Sequence, residues 1–167
     1  MTQTAQMTIL RGRILDFHAE PQDEGDTDAY SYIQDGAILI DGGQIIARGD
    51  FDSISAEAPE ASVTDHRPHL LMPGFIDTHI HFPQVQVIAS WGDQLLDWLN
   101  NYTFPEETRF ASAEHSAHMA TAFFDQLVTH GTTTAAAFCS VHKTSADAFF
   151  AEATKRNMRM LGGKVLM

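Results

Sequence analysis

From Phe75 to the end of the sequence one pattern repeats, and it restricts the fold more than any other feature. Phe75–His81 (FIDTHIH) reads as a strand, apolar at Phe75, Ile76 and Ile80. Ala113–His130 reads as a long helix, with Ala117, Ala120, Phe123, Phe124, Leu127 and Val128 on one face at helical spacing. Ser112 is placed to cap its start and Gly131 to end it. Thr132–Phe138 (TTTAAAF) is a strand of small residues, and Ser145–Asn157 a second amphipathic helix. Met158–Met167 begins a third strand, interrupted by glycine. Strand, helix, strand, helix, strand predicts an α/β fold with parallel strands. Before the long helix, Leu95–Tyr102 (LLDWLNNY) predicts a short amphipathic helix that stops near Pro105.

Residues 1–70 carry a different pattern. Met7–Phe17 and Gly36–Ile40 read as strands. Asp41-Gly42-Gly43 is a turn, and Gln44–Ala47 the return strand of a hairpin closed by Arg48-Gly49-Asp50. Residues 52–66 are polar, include Pro59, and predict a short helix or loop. His69–Met72 is a brief strand that Pro73-Gly74 breaks. These elements predict a small β domain over 1–70 and a β/α domain over 71–167. Charge follows the same division. Residues 1–65 hold 13 acidic and 3 basic side chains, residues 66–167 hold 9 and 7. The acidic run Glu20–Asp28 reads as a solvated loop, and it lacks the EF-hand order of ligands, central glycine and closing glutamate.

The formal net charge of −12 argues against a nucleic-acid partner, which would need a basic surface. A single cysteine, Cys139, allows no intrachain disulfide. It also excludes the Pro-Cys-x-x-Cys zinc site of cytidine-type deaminases. No run approaches the ~20 apolar residues of a membrane span. Residues 1–9 lack the layout of a signal peptide, so a soluble cytoplasmic protein is expected.

The chemistry concentrates in Asp77-Thr78-His79-Ile80-His81. Residues two apart on a strand point to the same face, about 6–7 Å apart along the backbone. Two imidazoles there can converge on one cation, because zinc–nitrogen bonds are about 2.0–2.1 Å long. A catalytic site needs at least one more ligand and an open position for water. A bare His-x-His is more often a pair of hydrogen-bonded, partly buried histidines. Here a Pro-Gly break precedes it and a β/α pattern follows, and both favour metal ligation by His79 and His81. Asp77 either orients a histidine or caps a turn.

Met72–His81 (MPGFIDTHIH) resembles the first barrel strand of the amidohydrolase superfamily. The continuation resembles the guanine deaminase family within it: His81-Phe82-Pro83-Gln84, Leu95–Leu99 (LLDWL) and Tyr102–Glu107 (YTFPEE). His130–Thr134 (HGTTT) and Gly163–Met167 (GKVLM) extend the likeness, which runs from roughly Gly36 to the end. The resemblance implies a partial (β/α)8 TIM-type barrel, its first three or so β/α units, preceded by a small β-sandwich-like domain. A closed barrel takes ~250 residues, so the chain is expected to be the opening third or so of a larger enzyme. The implied reaction is zinc-dependent hydrolytic deamination of guanine to xanthine and ammonia. One Zn2+ is implied, held in part by His79 and His81. His81, Phe82, Pro83 and Gln84 are implied to line the purine pocket. The Gln84 amide can donate and accept, which suits a purine edge. The resemblance places two more histidines, a metal-binding aspartate and a proton-shuttling glutamate beyond Met167. It also implies a homodimer when full length.

Other polar residues read as structural. His115 and His118, three apart on the long helix, are expected to be solvated, and His66 and His69 to serve a loop and a strand edge. His142 follows the second strand, where a loop hydrogen bond is expected ahead of a place in the pocket wall. Trp98 is expected to pack and Thr132–Thr134 to fill the strand. Three alternatives stay open. One is a superfamily deaminase of another aminated heterocycle. Another is a cyclic amidase, which would need a bridging lysine, and Lys164 is the one strand-associated candidate. The last is a non-catalytic metal-binding fragment.

Overall fold

A computed structural model describes residues 7–166. The chain divides into two compact units, Met1–Pro73 and Gly74–Met167.

Among the described residues the first unit is a mixed sheet with one α-helix and a short 3-10 turn, Thr27–Ala29. β1 (Thr8–Phe17), β2 (Tyr30–Asp41), β3 (Gln44–Asp50), α1 (Phe51–Glu57) and β4 (Ser62–Leu71) follow in chain order. The strand order is β3-β2-β1-β4. β1–β2 and β2–β3 are antiparallel, and β4 runs parallel to β1. Gly42 and Gly43, both at positive φ, make the hairpin turn between β2 and β3. Ile9, Ala37 and Leu39 bury against Ile54 and Ala58. The acidic loop is held by its own carboxylates. Asp26 accepts the Gln22 and Asp28 N–H groups, and Asp23 accepts that of Gly25.

Two expectations change here. Residues 62–66, expected in a helix or loop, form the first half of β4. This edge strand is exposed along most of its length, so no alternating apolar signal marks it. Its register against β1 shifts between Asp65 and Leu70, and Pro68 sits in that irregular stretch, where a missing N–H is tolerated. β2 also begins at Tyr30, six residues before the expected start, with the tyrosines on its exposed face.

The second unit is a three-stranded parallel sheet carrying helices. β5 (Phe75–His81) leads into a 3-10 turn, Phe82–Val87. α2 (Leu95–Trp98), a π-helical turn (Leu99–Thr103) and α3 (Phe104–Thr108) then run on as one helical stretch. α4 (Ala113–Thr129), β6 (Thr132–Phe138), α5 (Lys143–Lys155) and β7 (Arg159–Gly163) complete the unit in the order β5-β6-β7. The Ser112 hydroxyl accepts the His115 N–H as N-cap of α4, and Gly131 at positive φ ends it. Phe82, Phe110, Phe123, Phe124 and Phe149 interlock as the core above Ala135 and Ala137 of β6. Small strand residues let this layer of rings sit close to the sheet. A Cβ at Gly162 of β7 would lie 2.9 Å from the Phe149 ring.

Pro105 does not stop the helix as expected. Phe104 N–H donates to the Leu99 carbonyl, an i→i−5 bond, so the backbone is already widened where proline enters at the start of α3. Leu95 and Leu96 of the short helix are exposed rather than packed.

Candidate active site

β5 ends in a bulge. Asp77 lies opposite Ala135 of β6 and Ile80 opposite Ala137, so β5 carries one extra residue at Thr78–His79. His79 N–H donates to Asp77 Oδ1 at 3.0 Å. Asp77 therefore caps the local backbone. A bulge of this kind re-aims the side chains beside it, and it lies next to both histidines.

The His79 and His81 ring centroids are 5.4 Å apart. Two imidazoles sharing one tetrahedral cation, with zinc–nitrogen bonds of about 2.0–2.1 Å, would have centroids about 5 Å apart. Phe138, the last residue of β6, sits 5.1 Å from the His79 ring and stacks on His81 at 4.9 Å. Burial first, then the neighbouring His79, lowers the His81 pKa from its ordinary 6.5, while the Glu107 carboxylate pulls the other way. A neutral ring keeps the lone pair that a metal requires. The donor set thus fits zinc as two of its ligands. Among the described residues no group of three or more His, Cys, Asp or Glu gathers around one point.

A cavity of about 450 Å³ is lined by His79, His81 and Gln84, with the polar residues Asp77, Gln126, His130 and Thr132 and apolar residues of β5, the turn after it and α4 around them. A second, of about 480 Å³, runs past His79 and Phe138 to Gly163–Leu166. The structure therefore gathers three of the residues expected to bind metal or base. It separates the other two. Phe82 is fully buried in the phenylalanine core and Pro83 is buried beside it, and neither lines these cavities. An aromatic residue in a motif carries no label saying whether it faces ligand or core.

Gln84 Nε2 donates to Glu107 Oε1 of α3 at 3.2 Å. The partner is 23 residues away, and no local pattern signals it. His115 also departs from expectation: it is not solvated. Its Nε2 lies 3.1 Å from Oε1 of the buried Glu106, which also accepts from Arg109 Nη1 at 2.7 Å. The Phe110 ring meets His115 edge-on at 4.9 Å. His118 is exposed, as expected. The His142 backbone N–H donates to Ser140 Oγ at 3.2 Å, a bond that does not involve the imidazole. Trp98 is half-buried, and its Cβ and backbone run so close to Gly92 that a Cβ there would come within 2.6 Å. Cys139 is buried, and burial pushes its thiol up to about 11, so it is inert as a nucleophile.

Residues 70–167 match the sequence model of the amidohydrolase family. The chain belongs to that family. Within it, the chain is 44% identical over 140 residues to the guanine deaminase of Escherichia coli (strain K12), covering 83% of this chain and 32% of that one. A solved E. coli guanine deaminase superposes with a TM-score of 0.89 at 40% identity, covering 96% of this chain and 38% of that one. The guanine deaminase of C. acetobutylicum, solved with guanine in its active site, gives 0.78 at 27% identity, covering 97% and 37%. This amidohydrolase chain thus spans about a third of the length of the relatives it matches.

Proposed function

We propose that the complete protein carrying this chain is a zinc-dependent guanine deaminase, working in the cytoplasm as a homodimer. On this reading the three parallel strands are the opening of a (β/α)8 barrel. The four-stranded sheet belongs to a small β-sandwich domain. The observation that carries the proposal is one cavity shared by His79, His81 and Gln84, with the two rings at a separation suited to one cation. The likeness to guanine deaminases selects the reaction.

His79 and His81 would hold the zinc as two of its ligands. Zinc bound there would make a water acidic enough, with a pKa of about 7, to attack the amine-bearing ring carbon at neutral pH. The chain's own residues shape what surrounds that chemistry. Phe138 stacks on His81 and limits the ring's rotation. Gln84 meets the polar edge of the base, and a purine edge left unpaired would cost about 1–3 kcal/mol. Phe82 and Pro83 back the wall that carries both. The remaining metal ligands and the carboxylates that move protons to the leaving ammonia come, on this reading, from later barrel strands.

The test is zinc content and guanine turnover of the complete enzyme. About one zinc per chain with conversion of guanine to xanthine is expected. Zinc-free protein without turnover would overturn the proposal. Turnover of another aminated heterocycle, with guanine untouched, would keep the family and replace the substrate.

A further inference from the structure

We infer that Glu107 is a positioning residue for the base, fixing the Gln84 side-chain amide so that its carbonyl oxygen is left to accept from the substrate. The inference rests on the functional reading above.

The amide of a glutamine has two nearly equivalent ends, and its neighbours decide which way it points. An ionised carboxylate only accepts. Glu107 Oε1 lies 3.2 Å from Gln84 Nε2, so the NH2 end is drawn to it and the carbonyl end is turned away. The reverse orientation would set two acceptor oxygens against each other. Gln84 lines the cavity that holds His79 and His81, beside Gln126 and His130, so its orientation sets one part of the hydrogen-bond pattern a base meets there. Guanine carries N–H donors on its ring and its exocyclic amine. An amide fixed as an acceptor suits those groups and disfavours a base edge that offers only acceptors.

Glu107 is well braced for this task. Its neighbour Glu106 is buried and bonded to both Arg109 and His115. Arg109 Nη1 also donates to Gln86 Oε1 at 2.8 Å. Alternate residues of the turn after β5 are thus tied to the α3 region, Gln84 through Glu107 and Gln86 through Arg109. A carboxylate on so constrained a helix holds one position without substrate, which reduces the ordering left to binding.

The experiment is a double-mutant cycle in the complete, zinc-loaded enzyme: Glu107→Ala, Gln84→Ala and the pair, with Glu107→Gln as conservative variant. Loss of one charge-assisted bond predicts that Glu107→Ala raises KM for guanine about tenfold while kcat changes less than about threefold. Glu107→Gln keeps an acceptor and recovers most of that loss. The double variant is no worse than Gln84→Ala alone, because Glu107 acts through Gln84. Zinc content stays at the wild-type level throughout. In ¹H–¹⁵N spectra the Gln84 side-chain amide shifts in Glu107→Ala and returns toward its place in Glu107→Gln. Additive effects in an active enzyme, or an unmoved Gln84 amide, would overturn the inference alone. A wild-type enzyme that leaves guanine unchanged overturns the functional reading and this inference with it.

Discussion

Two histidine settings lie within the second unit and differ in what the fold has done with them. At the start of α4, His115 is mostly buried, shares Glu106 with Arg109 and rests on the Phe110 ring. At the end of β5, His79 is exposed and His81 half-buried, and among the described residues neither ring makes a hydrogen bond. One histidine is completed by its neighbours. The other two are held in place, stacked and left with nitrogens to offer. The difference shows that a histidine's role follows from whether its nitrogens are already engaged. The His-x-x-His spacing of His115 and His118 on one helix, as suggestive on paper as the pair at β5, leads to no shared site.

The strongest way to break this contrast is to remove an open histidine. His79→Ala and His81→Ala, each in a complete enzyme carrying this chain, are expected to lower zinc affinity by more than about a hundredfold. Loss of an outer partner alone typically costs 10–100-fold. Guanine turnover should vanish with the metal. The thermal unfolding of the metal-free protein should change little, since no described group loses a hydrogen bond to either ring. Normal zinc content in either variant would remove that residue from the ligand set.

His115→Ala should behave in the opposite way. It leaves the buried Glu106 carboxylate with Arg109 as its main partner. The expected cost is about 1–3 kcal/mol of stability, read by urea unfolding. Zinc content should be unchanged. Loss of zinc without loss of stability would mean that the two settings are not distinct.

The elements that were legible in the sequence share a property: their signals are local. The Ser112 cap, the Gly131 stop, the glycine hairpin and the β5 strand each lie within a few residues and match the structure, and the α4 stripe is buried at Ala120, Phe123, Phe124 and Leu127 but exposed at Ala117 and Val128. That the His79 and His81 rings lie close together was legible for the same reason, two residues on one strand. What escaped depends on distant partners. Glu107 meets Gln84 across 23 residues, and His115 meets Glu106 across a break between helices. Phe82 packs against the rings of Phe110, Phe123 and Phe149, which are 28 or more residues away and leave no mark in its own motif. The bulge before His79 is a property of β5 against β6 and has no signature in β5 alone. Strand β4 stayed hidden because an exposed edge strand has no buried face to set a period of two.

A smaller prediction extends the contrast from histidines to carboxylates. Glu152 of α5 is buried and accepts from Arg156 Nε at 2.7 Å, and Arg156 also bridges to Asp125 of α4 at 2.7 Å. This clasp, like that of His115, is complete within the fold and lies outside the cavity of His79. Arg156 first, with Lys155 adding to it, holds the Glu152 carboxyl below its ordinary 4.5, against the opposing effect of burial. Folding therefore favours the ionised form. The resulting stability is fully present above pH 4.5 and is lost as the pH falls through the lowered value. Glu152→Gln should be less stable than wild type at neutral pH, and the two stability curves should converge in acid. Added salt should narrow the neutral-pH gap, because Arg156 and Asp125 are reached by solvent. Zinc binding and guanine KM should be unmoved. A Glu152→Gln curve that stays parallel to wild type from neutral pH into acid would show that the carboxylate serves packing alone.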